Sequence, residues 1–436
     1  MKEKAGIKML LAALCVLLAG CGPIAFTDAT PVQLPVQTQS ASGTSATATT
    51  TTTTTTTQAP QPSTTEPEEP TEELEKEEIR AVWLSFYELS LPEGGRGKKA
   101  FRAKYEALFR QLEAFGLNTV FVHVRAYSDA VYPTALAPWA ASLTGKQGRD
   151  PGFDPLEVLC GLAKKHRLNL HAWLNPFRVT QGKDLTKLSP DNPALAHIKN
   201  NDGWVNLAGG SYYWNPAVPE VHALVYDAVR ELMRGYPLAG AHIDDYFYPL
   251  GGDAFDAAQY EAYTGAGGAL SLGDWRRELM NSFVGGLYRA VKRENPAAAV
   301  SLSPRGSLTQ DKEELYADAA LWLREPGYTD WMVPQIYFGF EHPTLPFRRT
   351  AEEWAALPRH GGAKLVAGLG MYKAGAEDAY AGAAKAEWQQ NSDIIARQAQ
   401  YIQSAREWDG FSIYSMTSLC GGAKEEAENL RRILGP

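Results

Sequence analysis

From Ile79 to the C-terminus the chain alternates short β-rich runs with amphipathic helical stretches, eight times over. The runs are Arg80–Phe86, Asn118–Arg125, Asn169–Asn175, Ala239–Asp245, Ala299–Arg305, Trp331–Tyr337, Lys364–Tyr372 and Gly410–Ser415. Between them Lys104–Phe115, Pro155–His166, Glu220–Tyr236, Trp275–Glu294 and Asp393–Trp408 read as helices, and Lys424–Leu434 closes the chain. Eight βα units in one domain-sized segment predict an α/β fold, a (β/α)8 TIM barrel. A doubly wound open sheet is the alternative. No Gly-x-Gly-x-x-Gly follows the first run, which weighs against a nucleotide-binding version of it.

Within each run the residues alternate, as barrel strands require. One set is apolar and suits contact with the helices: Val120, Val122 and Val124; Leu170, Ala172 and Leu174; Ile243; Val300 and Leu302; Met332, Pro334 and Ile336. The other set is left to face the axis, and it is polar or aromatic. It contains Trp83, Ser85 and Tyr87; His123 and Arg125; His171, Trp173 and Asn175; and His242 and Asp244. The second half adds Ser301, Ser303 and Arg305; Gln335 and Tyr337; Gly368, Gly370 and Tyr372; and Ser412 and Tyr414. An ordinary barrel interior favours Val, Ile and Leu. Burying this many polar groups costs free energy unless they pair or serve a ligand. Long aromatic loops also follow runs two, three, four and six, at 126–152, 176–219, 246–274 and 338–351. The opposite turns are short, as at Gly116-Leu117 and Pro237-Leu238. That asymmetry suits a barrel whose βα face carries a function.

The N-terminus is of another kind. Lys2, Lys4 and Lys8 precede an apolar stretch, Met9–Leu18, that is too short to span a bilayer. It reads as a signal peptide over residues 1–20. Its ending, Leu18-Ala19-Gly20-Cys21, resembles the bacterial lipobox, which implies cleavage before Cys21 and lipidation of that cysteine. Residues 21–78 hold the threonine run Thr49–Thr57 and an acidic stretch, Glu66–Glu78. Nothing there can bury a core, so a disordered linker is expected, spanning roughly 40 Å on average. The folded domain is expected over 79–436, lipid-anchored at the extracytoplasmic face of the cell membrane and monomeric. Of four cysteines, only Cys160 and Cys420 remain in that domain, so no disulfide framework is expected. A net charge of −8 and the lack of a Lys/Arg cluster argue against nucleic acid as a partner.

The chemistry concentrates in Ala241-His242-Ile243-Asp244-Asp245-Tyr246-Phe247-Tyr248, where an apolar run ends in two carboxylates followed by aromatics. Paired acids at a strand end suit general acid/base work, and tyrosines offer flat faces and hydroxyls to a sugar ring. A helix N-cap with packing aromatics is the plainer alternative.

Longer motifs accompany this one. They are Arg125–Pro133, Leu143–Gly148, His171–Arg178, Trp214-Asn215-Pro216, His242–Pro249, Asp274–Arg277 and Pro334–Tyr337. Together they resemble the glycosyl-hydrolase-like 10 family, over nearly everything from Ile79 onward. The resemblance implies a barrel of secreted or lipidated bacterial proteins with glycoside hydrolase character. It further implies a link to peptidoglycan glycan strands stripped of peptide. Glu341, in Phe338-Gly339-Phe340-Glu341-His342, lies outside the matched motifs.

Glycoside hydrolysis needs an acid and a base or nucleophile. Asp244 is axial and is the first candidate, with Asp245 or Glu341 as its partner. Neighbouring strand residues point to opposite sides, so Asp245 reaches the site only if the strand breaks there. Adjacent acids also suit substrate-assisted cleavage, one orienting a 2-acetamido group and the other protonating the leaving oxygen. Candidate sugar contacts are Arg125, Asp129, Tyr132, Trp173, Asn175, Arg178, Asn215, Tyr246, Tyr248, Gln335, Tyr337 and Tyr372. Arg125 has a second reading as a structural partner of Asp244, and Trp173 as a filler of the barrel. No cofactor or metal is expected. Two rivals remain: a metal-dependent hydrolase built on His123, His171 and His242, and a non-catalytic glycan-binding lipoprotein.

Overall fold

The computed structural model describes residues 77–91 and 97–435. The expected signal peptide, Cys21 and nearly all of the linker lie outside the described residues. The strands are β1 (Ile79–Leu84), β2 (Thr119–Arg125), β3 (Asn169–Leu174), β4 (Val205–Ala208), β5 (Ser211–Trp214), β6 (Gly240–Ile243), β7 (Ala299–Leu302), β8 (Trp331–Met332), β9 (Lys364–Leu369) and β10 (Gly410–Ile413). Eight of them close into a parallel barrel in the order β1-β10-β9-β8-β7-β6-β3-β2. The seam runs from Ile79↔Gly410 to Val82↔Ile413. Closure removes the open-sheet alternative. The remaining pair, β4 and β5, is an antiparallel hairpin inside the loop after β3.

Two of the long helices start at side chains that cap them. Asp154 accepts the Glu157 amide at 3.0 Å, with Pro155 next in line, and the helix runs Pro155–Lys165. Ser271 accepts the Asp274 amide at 3.1 Å ahead of Leu272–Glu294. Lys98–Ala114 begins earlier than its apolar spacing suggests, and Lys424–Leu434 has the expected bounds.

Alternation along the strands divides the core in two. Val120, Val122, Val124, Leu170, Leu174, Ile243, Val300, Leu302 and Met332 join the apolar layer between barrel and helices. Truncating one of the fully buried rings of this layer, such as Phe109 or Phe283, to Ala costs about 3–5 kcal/mol. Inside the barrel sits a smaller cluster that includes Trp83, Phe121, Trp173 and Val366. Gly240 lets β6 approach it: a Cβ there would meet His171 Nδ1 at 2.6 Å. Cys160 and Cys420 are both unbridged.

Several expected strands stop short at their C-terminal ends. The run Trp331–Tyr337 pairs regularly only over Trp331–Met332. Pro334 has no N–H to give, and beyond it contact is limited to the isolated pairs Arg305↔Gln335 and Gln335↔Gly368. The chain is thereby freed to form the mouth. A further long loop, 370–393, follows β9; the sequence reading did not anticipate its length. Among the described residues no helix is long and apolar enough to cross a membrane.

Candidate active site

Strand β6 ends at Ile243, one residue before the aspartates. Asp244 keeps the axial direction of His242. The chain then leaves the ladder, and Asp245 is carried to the mouth rather than out to the helices. Asp244 is nearly buried, and its Oδ1 accepts from Asn175 Nδ2 at 3.4 Å. Asp245 Oδ1 accepts from Gln335 Nε2 at 3.2 Å, and its Oδ2 lies 3.7 Å from Arg305 Nε. Gln335 is itself held by Ser303 O at 3.1 Å. Burial, and then the charge of Asp245, push the Asp244 carboxyl far above the usual carboxylate range, against the opposing pull of Arg178. Asp244 thus has the character of an acid that keeps its proton, as a general acid requires.

Aromatic walls stand on both sides. Tyr337 stacks on Tyr414 with centroids 5.8 Å apart, and Tyr372 meets both edge-on at 5.8 and 5.7 Å. The exposed Tyr87 shares a 2.9 Å hydroxyl–hydroxyl bond with Tyr414. On the other side Arg178 lies between the rings of Tyr127 and Tyr246, each centroid 4.3 Å away. Trp173 is buried beneath, stacked at 3.7 Å on His123. The mouth therefore gathers Asp244, Asp245, Trp173, Asn175, Arg178, Tyr246, Gln335, Tyr337 and Tyr372 from the sequence candidates.

Others are placed behind it. Arg125 is buried, and its Nη1 donates to the carbonyls of Asn175 at 2.8 Å and Pro176 at 3.1 Å, so it braces backbone rather than pairing with Asp244. Asp129 accepts the amides of Tyr127 at 3.0 Å and Ala126 at 3.4 Å, which shapes the loop that presents Tyr127. Tyr132 packs in the outer core against Tyr236. Asn215 bridges Gly203 O at 3.0 Å and Gln259 Oε1 at 3.1 Å. Tyr248 bonds to Asp256 and covers the Arg276 guanidinium. Glu341 is exposed and, among the described residues, shares no hydrogen bond or ion pair with either aspartate. Its amide donates to Glu387 Oε2 at 3.1 Å, next to the Phe340 amide on Oε1 at 2.8 Å. Glu387, from the loop after β9, is the clamp on this segment.

The sequence reading did not select Tyr127, Arg305 or Glu387. Arg305 carried a usable signal, its place in the axial set. Tyr127 and Glu387 lie in loops, where no periodicity marks a direction.

Two of the three axial histidines are bonded to neighbours, whereas His123 is stacked on Trp173 and neither of its ring nitrogens has a hydrogen-bond partner among the described residues. His242 accepts from Trp83 Nε1 at 2.9 Å and engages Ser301 Oγ at 2.8 Å. His171 reaches the same hydroxyl at 3.3 Å. Burial lowers the His171 imidazole to about 3 and keeps His123 and His242 well below their usual range. No group of three or more His, Cys, Asp or Glu among the described residues is arranged to hold a metal ion. The donor set for the metal-dependent reading does not fit.

A profile of the family described as Glycosyl hydrolase-like 10 matches residues 78–385. Glycosyl hydrolase YngK of Bacillus subtilis (strain 168) is 34% identical over 317 residues, covering 68% of this chain and 61% of the relative. Glycosyl hydrolase DigH of Escherichia coli (strain K12) is 31% identical over 286 residues, covering 61% of this chain and 64% of the relative. The aligned part thus falls short of two thirds of either relative's length. Among solved structures, the alpha-L-fucosidase isoenzyme 2 from Paenibacillus thiaminolyticus superposes with a TM-score of 0.51 at 15% identity, over 82% of this chain and 49% of that one. That likeness is one of fold.

Proposed function

The chain belongs to the glycosyl hydrolase-like 10 family, and from that premise we propose that it hydrolyses O-glycosyl bonds in an N-acetylated wall polysaccharide, specifically peptide-free peptidoglycan glycan. The observation that carries the reading is the Asp244–Asp245 pair, in which Asp244 is pushed toward its protonated form, set between aromatic walls at the barrel mouth.

Asp244 carries the proton and gives it to the glycosidic oxygen as the C1–O bond breaks. The 2-acetamido carbonyl oxygen of the same sugar attacks C1 and forms a cyclic oxazolinium. Asp245, steadied by Gln335 and Arg305, accepts the acetamido N–H and stabilises the developing positive charge. Water then opens the ring at C1 and passes its proton to the Asp244 carboxylate, which restores the enzyme. Tyr337, Tyr372 and Tyr246 supply faces for the sugar rings. The lipobox-like ending at Cys21 supports a lipid-anchored location on the extracytoplasmic face of the membrane, within reach of such a glycan.

The test is to incubate the purified protein with peptide-free glycan strands, intact sacculi, chitin oligomers, cellulose and xylan, with product mass analysis. Cleavage of the peptide-free glycan strands and little action on cellulose or xylan are expected. Efficient hydrolysis of an unsubstituted glucan, with none of acetamido sugars, refutes both mechanism and substrate. Binding without cleavage moves the glycan-binding reading to first place.

A further inference from the structure

We infer that Arg178 is the receptor for a carboxylate carried by the substrate sugar, so that the site reads an acidic 2-acetamido glycan rather than a neutral one. The inference rests on the proposed glycosidase reading and names a chemical requirement within it.

The ground is a cation without a counter-ion. Arg178 enters no ion pair among the described residues, although it is flanked closely on both faces. Tyr127 and Tyr246 stack on it, the Tyr127 hydroxyl accepts from Nη2, and Nε is buried with no hydrogen-bond partner. No acceptor among the described residues meets Nη1. The groups whose electrostatics it shares are Tyr213, the neutral His123 and Asp244. Asp244 is itself driven toward the protonated form by burial and by Asp245, and it makes its hydrogen bond to Asn175. A half-buried guanidinium normally has a carboxylate opposite it. Tyr127 and Tyr246 flank the guanidinium, and Nε and Nη1 are the donors left without a protein acceptor among the described residues. An edge-on guanidinium is a planar fork matched to a carboxylate.

The amide of Arg178 donates to Asn175 Oδ1 at 3.2 Å, and the same Asn175 side chain donates to Asp244. The Arg178 backbone is thereby tied to the residue that contacts Asp244, and the guanidinium is near enough to Asp244 to pull on its charge, which puts the carboxylate on a sugar adjoining the scissile bond. A sugar carboxylate comes in two forms, an ether-linked lactyl group or a uronate. In wall glycan freed of peptide the lactyl carboxylate is free, whereas a peptide stem converts it to an amide. Seating an anion on Arg178 also cancels the strongest pull lowering Asp244, leaving the acid protonated when it must donate.

The test measures binding calorimetrically with full-length Asp245→Asn protein. The ligands are four tetrasaccharides: alternating acetamido and lactyl-bearing sugars, the methyl ester of that compound, chitotetraose, and alternating acetamido sugar and uronate. The free lactyl acid should bind about tenfold or more tighter than its ester. Adding Arg178→Gln should reduce that ratio to less than about twofold, and Arg178→Lys should keep part of it, separating lost recognition from lost fold. Equal affinity for acid and ester, or a preference that survives Arg178→Gln, overturns the inference and leaves the glycosidase reading standing. A preference for the uronate supports the Arg178 assignment and overturns the wall substrate. Failure to bind any of the four overturns both.

Discussion

Trp83 Nε1 donates to His242 Nε2 at 2.9 Å, a hydrogen bond that joins β1 to β6 through the barrel interior. It leaves His242 as the Nδ1–H tautomer, which donates to Ser301 Oγ, and Ser301 in turn donates to Ala241 O at 3.2 Å. Trp83 Nε1, both His242 nitrogens and Ser301 Oγ are thus satisfied within one chain of hydrogen bonds, whereas both nitrogens of the neighbouring His123 have no partner among the described residues. Phe121 lies flat on the His242 ring at 4.1 Å. Asp244, two residues on, stands on this floor.

Asp244→Asn and Asp245→Asn should each lower turnover of peptide-free glycan by at least about a hundredfold. Each exchange preserves shape, and Asp244→Asn also removes a buried acid held beside a like charge, so thermal unfolding should shift little. Near-normal turnover in both variants would remove the pair from the chemistry.

The pH profile should reveal which aspartate carries the proton. Activity should fall on the alkaline side as pH rises through the raised Asp244 pKa, since the acid must be protonated to act. The charge of Asp245 helps to raise it, so in Asp245→Asn the limb of the residual activity should move to lower pH. A limb that stays put or moves to higher pH contradicts the assignment.

Glu341→Gln should cost less than about tenfold, because its side chain is exposed and apart from the aspartates. A loss as large as that of the Asp variants would restore Glu341 as the second carboxylate.

Stability should carry its own pH signature through Glu426. This buried carboxylate accepts the Ile394 and Ile395 amides at 2.9 and 3.1 Å, and burial raises it from 4.5 to about 7. The folded state therefore holds a proton that the unfolded chain releases first. The contribution is complete below the unfolded value and is lost as pH rises through about 7, an order-of-magnitude effect of ~3 kcal/mol. In melting curves at about pH 5 and about pH 8, the wild-type midpoint should fall further than that of Glu426→Gln. Parallel declines would disprove the linkage.

Cys21→Ser should abolish incorporation of labelled lipid and release the protein from the membrane fraction. Retention of the same label would mean that the anchor lies elsewhere.

The barrel was legible in the sequence because strand alternation is a local property with a global meaning. Val120, Val122 and Val124 could face only the helices, and that placed His123 and Arg125 inside. Direction alone does not fix the end of a long side chain. Arg125 starts toward the axis, and its guanidinium reaches across to the β3 carbonyls. Loop residues were harder. Tyr132, Asn215 and Tyr248 follow strand ends like the site residues do, yet the loops have interiors of their own and these side chains fill them. Arg276 shows why: its pairing with Asp256, beneath Tyr248, comes from residues 20 apart and has no period to betray it.

Because β1 is the first barrel strand and starts at Ile79, the chain enters the barrel at the rim opposite Asp244. The parallel order sends every strand away from that rim toward the aspartates. The point where the described chain joins the barrel and the aspartates therefore stand at opposite faces, so a force applied at Ile79 loads the back of the barrel and not the cleft.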